Sequence, residues 1–223
     1  MTKPITYWSE TPLIVAVGTN RSHYFVKKLV ERIVAVGGTD KLFAASYGGN
    51  NPLHYAAKFG NTTAARLLVS HNPDMTRVTN PSGDTPLKLA ASHANKETLQ
   101  YLLTVTPDLP PPGDEEGIGP YSGYAGGDLI TSTLMAGFYD VALAIIDLHP
   151  NIVLERDRNW RTALDILAMK PETFLSGSRL LFWGRLIYSW IARYCRRKRE
   201  DSVKKTRKTI NQDRAVAHEL LAD

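Results

Sequence analysis

The side chains that could do chemistry are few and poorly spaced for it. Six histidines are present, His23, His54, His71, His93, His149 and His218, with one cysteine, Cys195. No two histidines stand four residues apart with a glutamate beside the first, the pattern by which one helix face holds a metal and a general base. A lone cysteine excludes a disulfide scaffold and a multi-cysteine zinc site. No nucleophile elbow or phosphate-cradling loop occurs. Gly117-Ile118-Gly119 starts like a dinucleotide fingerprint, but Ser122 stands where the third glycine belongs and no strand precedes it. The expectation is no enzyme, no cofactor and no metal.

What remains are side chains suited to holding another molecule. Arg77, Thr79 and Asn80 form one group, and Arg156, Arg158 and Trp160 form a second. Arg and Trp are enriched at interface hot spots. Tyr121 and Tyr124 form a third group, inside a proline- and glycine-dense segment, 107–127, that also holds Pro110-Pro111-Pro112 and Asp114-Glu115-Glu116. Tyrosines on a loop carried by a rigid scaffold are common anchors. The triple proline could present a polyproline II segment to an aromatic groove. Each group has a plainer alternative: a solvated inter-unit finger over 107–127, and Trp160 packed beneath its own finger on Leu164.

The elements that must carry these groups repeat. Thr11-Pro12-Leu13, Asn51-Pro52-Leu53, Thr85-Pro86-Leu87 and the degenerate Thr162-Ala163-Leu164 each open an apolar stretch. Asn72-Pro73, Thr106-Pro107 and His149-Pro150 each follow a pair of branched aliphatics. Pro52 to Pro86 is 34 residues, Pro73 to Pro107 is 34, and Pro107 to Pro150 is 43. The unit between must then start near Leu129, with the extra residues in 107–127. Within a unit, Asn80-Pro81-Ser82-Gly83 reads as a turn. Thr85 is placed to cap a helix whose first residue is Pro86. Leu87, Leu89, Ala90 and Ala91 give a small-residue packing face. Asn95 starts a second helix with Leu99, Leu102 and Leu103 as its stripe, and Pro107 ends it. His71 and His149 precede helix-ending prolines, where a cation suits the helix C-terminus.

This pattern resembles the ankyrin repeat. The core of that repeat reads here as Asn51-Pro52-Leu53-His54-Tyr55-Ala56-Ala57, then Phe59-Gly60-Asn61, with Ala65-Arg66-Leu67-Leu68 in the second helix. The likeness covers residues 9–175 in five units. It implies an all-α solenoid of helix-turn-helix units, a structural hydrogen-bonding role for His54, and partner contact through the fingers and the concave helix face. Gly49–Val69, the Pro-Asp helix ends and Arg156-Asp157-Arg158-Asn159 are similar to the ankyrin part of plant proteins that end in a membrane-spanning PGG domain. No Pro-Gly-Gly occurs here. Lys88, Ile14 and Asp165 stand in place of the motif histidine, and Trp160 replaces the turn glycine.

Charge separates the body from the tail. The chain has 223 residues and net charge +5. Residues 1–192 hold 17 basic and 17 acidic residues, and residues 193–223 hold 10 and 5. A neutral body gives nucleic-acid binding no support. No apolar run is long enough for a membrane span, and the N-terminus lacks a secretory leader. Trp183, Leu186, Ile187, Trp190, Ile191 and Tyr194 recur at helical spacing, followed by Arg196-Arg197-Lys198-Arg199 and Lys204-Lys205-Thr206-Arg207-Lys208. That tail fits a long capping helix on the last unit, an interfacial helix on an anionic membrane, or a nuclear import signal. The expected organisation is an array over 1–175 with an insertion finger at 107–127, then a C-terminal helix and basic tail over 176–223. The expected role is a protein-binding adaptor in the cytoplasm, at the face of a membrane or alternatively in the nucleus.

Overall fold

The computed structural model describes residues 4–19, 23–113 and 117–170, together with Leu186, Ile187, Ser189, Trp190 and Arg193. The chain divides into two compact units, Met1–Pro171 and Glu172–Asp223. In the first, helices come in pairs: α1 (Pro12–Gly18) with α2 (His23–Gly37), α3 (Pro52–Phe59) with α4 (Thr62–His71), and α5 (Pro86–Ser92) with α6 (Lys96–Val105). Then come α7 (Gly123–Met135) with α8 (Tyr139–Leu148), and α9 (Ala163–Ala168). The first helices α1, α3, α5, α7 and α9 stack in chain order as one layer, and each second helix packs on its own partner. No strand occurs among the described residues. The fold is an all-α ankyrin-repeat solenoid.

Local chemistry starts each first helix. The Thr11 hydroxyl accepts from the Ile14 N–H, the Asn51 side-chain Oδ1 from the Leu53 and His54 N–H groups, and the Thr85 hydroxyl from the Lys88 N–H. Each satisfies a helix-end donor that has no partner within the helix. A proline follows all three caps, where its missing N–H costs nothing. Thr162 caps α9 reciprocally: Asp165 Oδ2 accepts from the Thr162 N–H at 2.7 Å. The residues that replace the motif histidine have local jobs. Lys88 reaches Asp84 at 2.9 Å, Asp165 closes the capping box, and Ile14 is core.

Neighbouring units are stapled at the far ends of these helices. The Asn61 amide donates to Val17 O at 3.1 Å, and the Asn95 amide donates to Ala57 O and Lys58 O at 2.8 Å each. The Ala57 and Lys58 carbonyls lie in the last turn of α3, where the helix supplies no donor of its own. Phe138 stands where a fourth-unit asparagine would be. There the α7 carbonyls of Leu134 and Met135 accept from Lys170 Nζ, at 2.9 and 3.0 Å. Leu53, Ala57, Leu68, Leu99, Leu102, Ile130 and Ile145 are fully buried between the layers.

The fourth unit departs from the expected plan. Its first helix starts at Gly123, not near Leu129, so Gly126 and Gly127 are helical rather than part of a finger reaching to 127. A Cβ on Gly127 would collide with the backbone of Arg156 and Asp157, and one on Gly126 with the Tyr121 carbonyl. The glycines serve close backbone approach, not loop freedom.

In the second unit, Leu186, Ile187, Ser189, Trp190 and Arg193 are helical. Arg193 Nε donates to Ser189 O at 3.3 Å. Of the tail residues expected to contact a membrane or import receptor, Trp190 is half-buried. Trp183, Arg196, Arg197, Lys198 and Arg199 lie outside the described residues. No helix among the described residues is long and apolar enough to cross a membrane.

Candidate partner-binding surface

Ahead of four of the five first helices the chain makes the same tight turn. Its closing N–H donates back three residues: Ser9 to Thr6, Gly49 to Ser46, Gly83 to Asn80 and Trp160 to Asp157, at 2.7 to 3.1 Å. The residue closing each turn has positive φ, at 57° for Ser9, 71° for Gly49 and Gly83, and 61° for Trp160. The opening side chain fastens the turn. Asn80 Oδ1 accepts from the Ser82 and Asp84 N–H groups, and Asp157 Oδ1 accepts from those of Asn159 and Arg161. Such Asx bonding replaces backbone ladder bonds and stiffens a two-residue tip.

The turns line up side by side. Tyr47 N–H donates to Trp8 O at 2.8 Å, joining the first to the second. Asn80 Nδ2 donates to Asn50 Oδ1 at 2.9 Å, and Gly49 lies so close to the Pro81 ring that a Cβ would overlap it. Gly83 faces the Arg158 guanidinium in the same way. Three carboxylate-to-arginine contacts hold the far end. Arg158 Nη1 meets Asp84 at 2.8 Å, Arg158 Nε meets Asp128 at 3.2 Å, and Arg161 meets Asp157 at 2.7 Å. Burial alone would raise the Asp84 carboxyl; the hydrogen bonds and charges of Lys88 and Arg158 outweigh it and hold the group below the usual range. Asp157 behaves alike: burial opposes ionisation, but the Arg161 backbone and guanidinium overcome it.

His54 sits beneath this surface. Its Nδ1 accepts from the Asn51 N–H at 3.3 Å, which assigns the proton to Nε2, and Nε2–H donates to Asp84 O at 3.1 Å. Burial pulls its pKa down to about 4, so the ring is neutral at physiological pH. It ties a first helix to the next finger and touches no solvent.

The residues expected from sequence to meet a partner divide into two sets. Thr79, Tyr124, Arg156, Arg158 and Trp160 are exposed. Tyr124 stands on the first turn of α7 rather than in a loop, and its ring meets Trp160 edge-on, 6.1 Å between centroids at 81°. Trp160 is 65% exposed, so it is not packed under its finger on Leu164. The other three are committed inward. Tyr121 is buried: its ring stacks on His149 at 3.8 Å, and its hydroxyl donates to Thr106 O at 3.1 Å. Burial, aided by the Asp108 charge, pushes its phenol up. Asn80 is buried and its amide is used by the turn. Arg77 is half-buried, with Nη1 on Pro110 O at 2.6 Å and Nη2 on Asp74.

Three exposed residues that belong with the first set escape a reading by residue type alone: Tyr7, Trp8 and Tyr47, at 92%, 61% and 80% exposed. The repeat register carries the signal. Tyr47 stands 34 residues before Pro81 and Tyr7 stands 40 before Tyr47, so both fall at turn tips. Among the described residues no group of His, Cys, Asp and Glu is placed to hold a metal.

Comparison with known proteins agrees with this architecture. Residues 13–110 match the family described as ankyrin repeats, in three copies, which spans α1 to α6. No curated protein matches the chain. The array is a protein–protein interaction module, and the fourth and fifth units extend it by geometry beyond the matched residues.

Proposed function

We propose that the protein is a non-enzymatic adaptor that binds another protein along the finger tips and the adjoining concave helix face. The observation that carries this is the row of exposed aromatic tips, Tyr7, Trp8, Tyr47 and Trp160 with Tyr124, on turns fastened to one another. Large aromatics held rigidly in water raise the cost of leaving a surface bare and lose little entropy when covered. The test is capture of partners from source tissue by the immobilised full chain, identified by mass spectrometry. A variant carrying Tyr47→Ala, Tyr124→Ala and Trp160→Gly should lose specific partners while keeping its helical circular dichroism. An unchanged set of captured proteins would refute the reading.

A second reading concerns the tail. Nine cations lie between Arg193 and Lys208, partly offset by Glu200 and Asp201 to net +7, and a few simultaneous contacts at about 1 kcal/mol each suffice for association with an anionic lipid surface. The likeness to PGG-domain proteins supports the same placement: a signalling component in the cytoplasm, at the face of a membrane. Nuclear import through the two basic clusters is the alternative. Sedimentation with anionic vesicles should show weak association that high salt abolishes. Replacing Arg196, Arg197, Lys198 and Arg199 by Gln should remove most of it. Equal binding to neutral vesicles would contradict an electrostatic tail.

A further inference from the structure

We propose that the aromatic row takes an extended, uncharged, proline-rich segment of the partner, with the Trp160–Tyr124 pair as its specificity-determining grip. This deepens the adaptor reading and rests on it.

The first observation is strain. Trp160 has φ 61°, where the matching turns carry Gly49 and Gly83. A bulky side chain is disfavoured there. The ring is 65% exposed, so burial in the array does not compensate. Arg156 Nη1 holds the Trp160 carbonyl at 2.8 Å, which keeps the residue in that conformation. Strain kept at an exposed aromatic marks a residue whose use lies outside the fold.

The second observation is the shape of the aromatic surface. Trp160 and Tyr124 stand at 81°, and at the other end of the row Tyr7 and Trp8 stand at 86°, 5.5 Å apart. Two rings set at a right angle form an open notch with apolar walls. Proline rings are compact, apolar and already ordered, so seating them loses little entropy. The chain that carries them has no internal hydrogen bonds. Its carbonyls can accept from the hydroxyls of Tyr7, Tyr47 and Tyr124 and from the indole N–H groups.

The third observation is charge. Around the notch, Arg158 is paired with Asp84 and Asp128, Arg161 with Asp157, and Lys88 with Asp84. Residues 1–175 carry 15 basic and 17 acidic residues, close to balance. A near-balanced surface whose Asp84, Asp128 and Asp157 are already paired complements an uncharged ligand and disfavours a strongly charged one, which would have to break those pairs. Length is also consistent. Four steps between stacked helices of about 9 Å give roughly 36 Å. A polyproline II chain covers that in about 12 residues at roughly 3.1 Å each.

The experiment uses the full chain and two fluorescein-labelled probes, dodecaproline and a glycine–serine dodecamer, followed by fluorescence anisotropy. Dodecaproline should bind at least about tenfold more tightly than the glycine–serine peptide. Tyr124→Ala and Trp160→Gly should each weaken it roughly tenfold or more. Trp160→Gly should at the same time leave Tm unchanged or raise it, which a purely structural tryptophan would not do. Dodecaproline binding no better than the control overturns the proposal, as does equal binding by both variants. If the variants lose tissue partners but the wild type ignores dodecaproline, the adaptor reading stands and this inference fails. Self-association that disappears in Tyr124→Ala would give the row to a second copy and also overturn it.

Discussion

Acidification should weaken the array through His54 before it loosens the Asp84 and Asp157 pairs. The ring accepts from the Asn51 N–H through Nδ1 and donates to Asp84 O through Nε2. A second proton would set two donors face to face at Asn51 and place a charge in a site closed to water. Burial therefore lowers its pKa from 6.5 to about 4. The unfolded chain binds the proton first, so stability falls as pH drops below the unfolded value and levels off below the folded one. At about 1.4 kcal/mol per pH unit, the loss is about 2 kcal/mol by pH 5 and about 3 kcal/mol by pH 4. Asp84 does not interfere. Its depressed pKa means that its stabilisation is lost only at lower pH. The assay is urea unfolding followed by far-ultraviolet circular dichroism at pH 7, 6, 5 and 4, on the wild type and His54→Gln. The glutamine is less stable at pH 7 but lacks the titration, so the two curves should converge on acidification. Parallel pH dependences would show that His54 does not titrate in this window and refute the reasoning.

Other outcomes follow from the packing. Asn95→Ala leaves the carbonyls of Ala57 and Lys58 without their donor and should cost about 1–3 kcal/mol in urea unfolding. Gly127→Ala drives a methyl into the Arg156–Asp157 backbone and should cost about 1–3 kcal/mol; proteolysis should then cut first near Asn159. Leu102→Ala empties a fully buried site between α6 and its neighbours and should cost about 2–5 kcal/mol. Calorimetry resolves each as a lowered Tm, and an unchanged Tm in the leucine variant would contradict the assigned core.

The helix starts, the helix-ending prolines and the repeat period were legible in the residues because they depend on neighbours three or four positions away. Thr85 caps the same helix in any setting, and Asn80-Pro81-Ser82-Gly83 turns wherever it stands. His54 was legible only through its place in a repeated motif; its acceptor, Asp84 O, lies 30 residues on. Tertiary packing decided which candidates face water. Tyr121 and Tyr124 sit three residues apart in the same glycine-rich stretch, yet one stacks under His149 and the other stands open beside Trp160. Gly126 and Gly127 read as loop residues because helix propensity penalises them. They are glycine within α7 because the backbones of Tyr121 and of Arg156–Asp157 lie too close for any side chain. Tyr7, Trp8 and Tyr47 became a surface only when successive turns were laid against one another, since a row across repeats is a property of stacking and no single unit contains it.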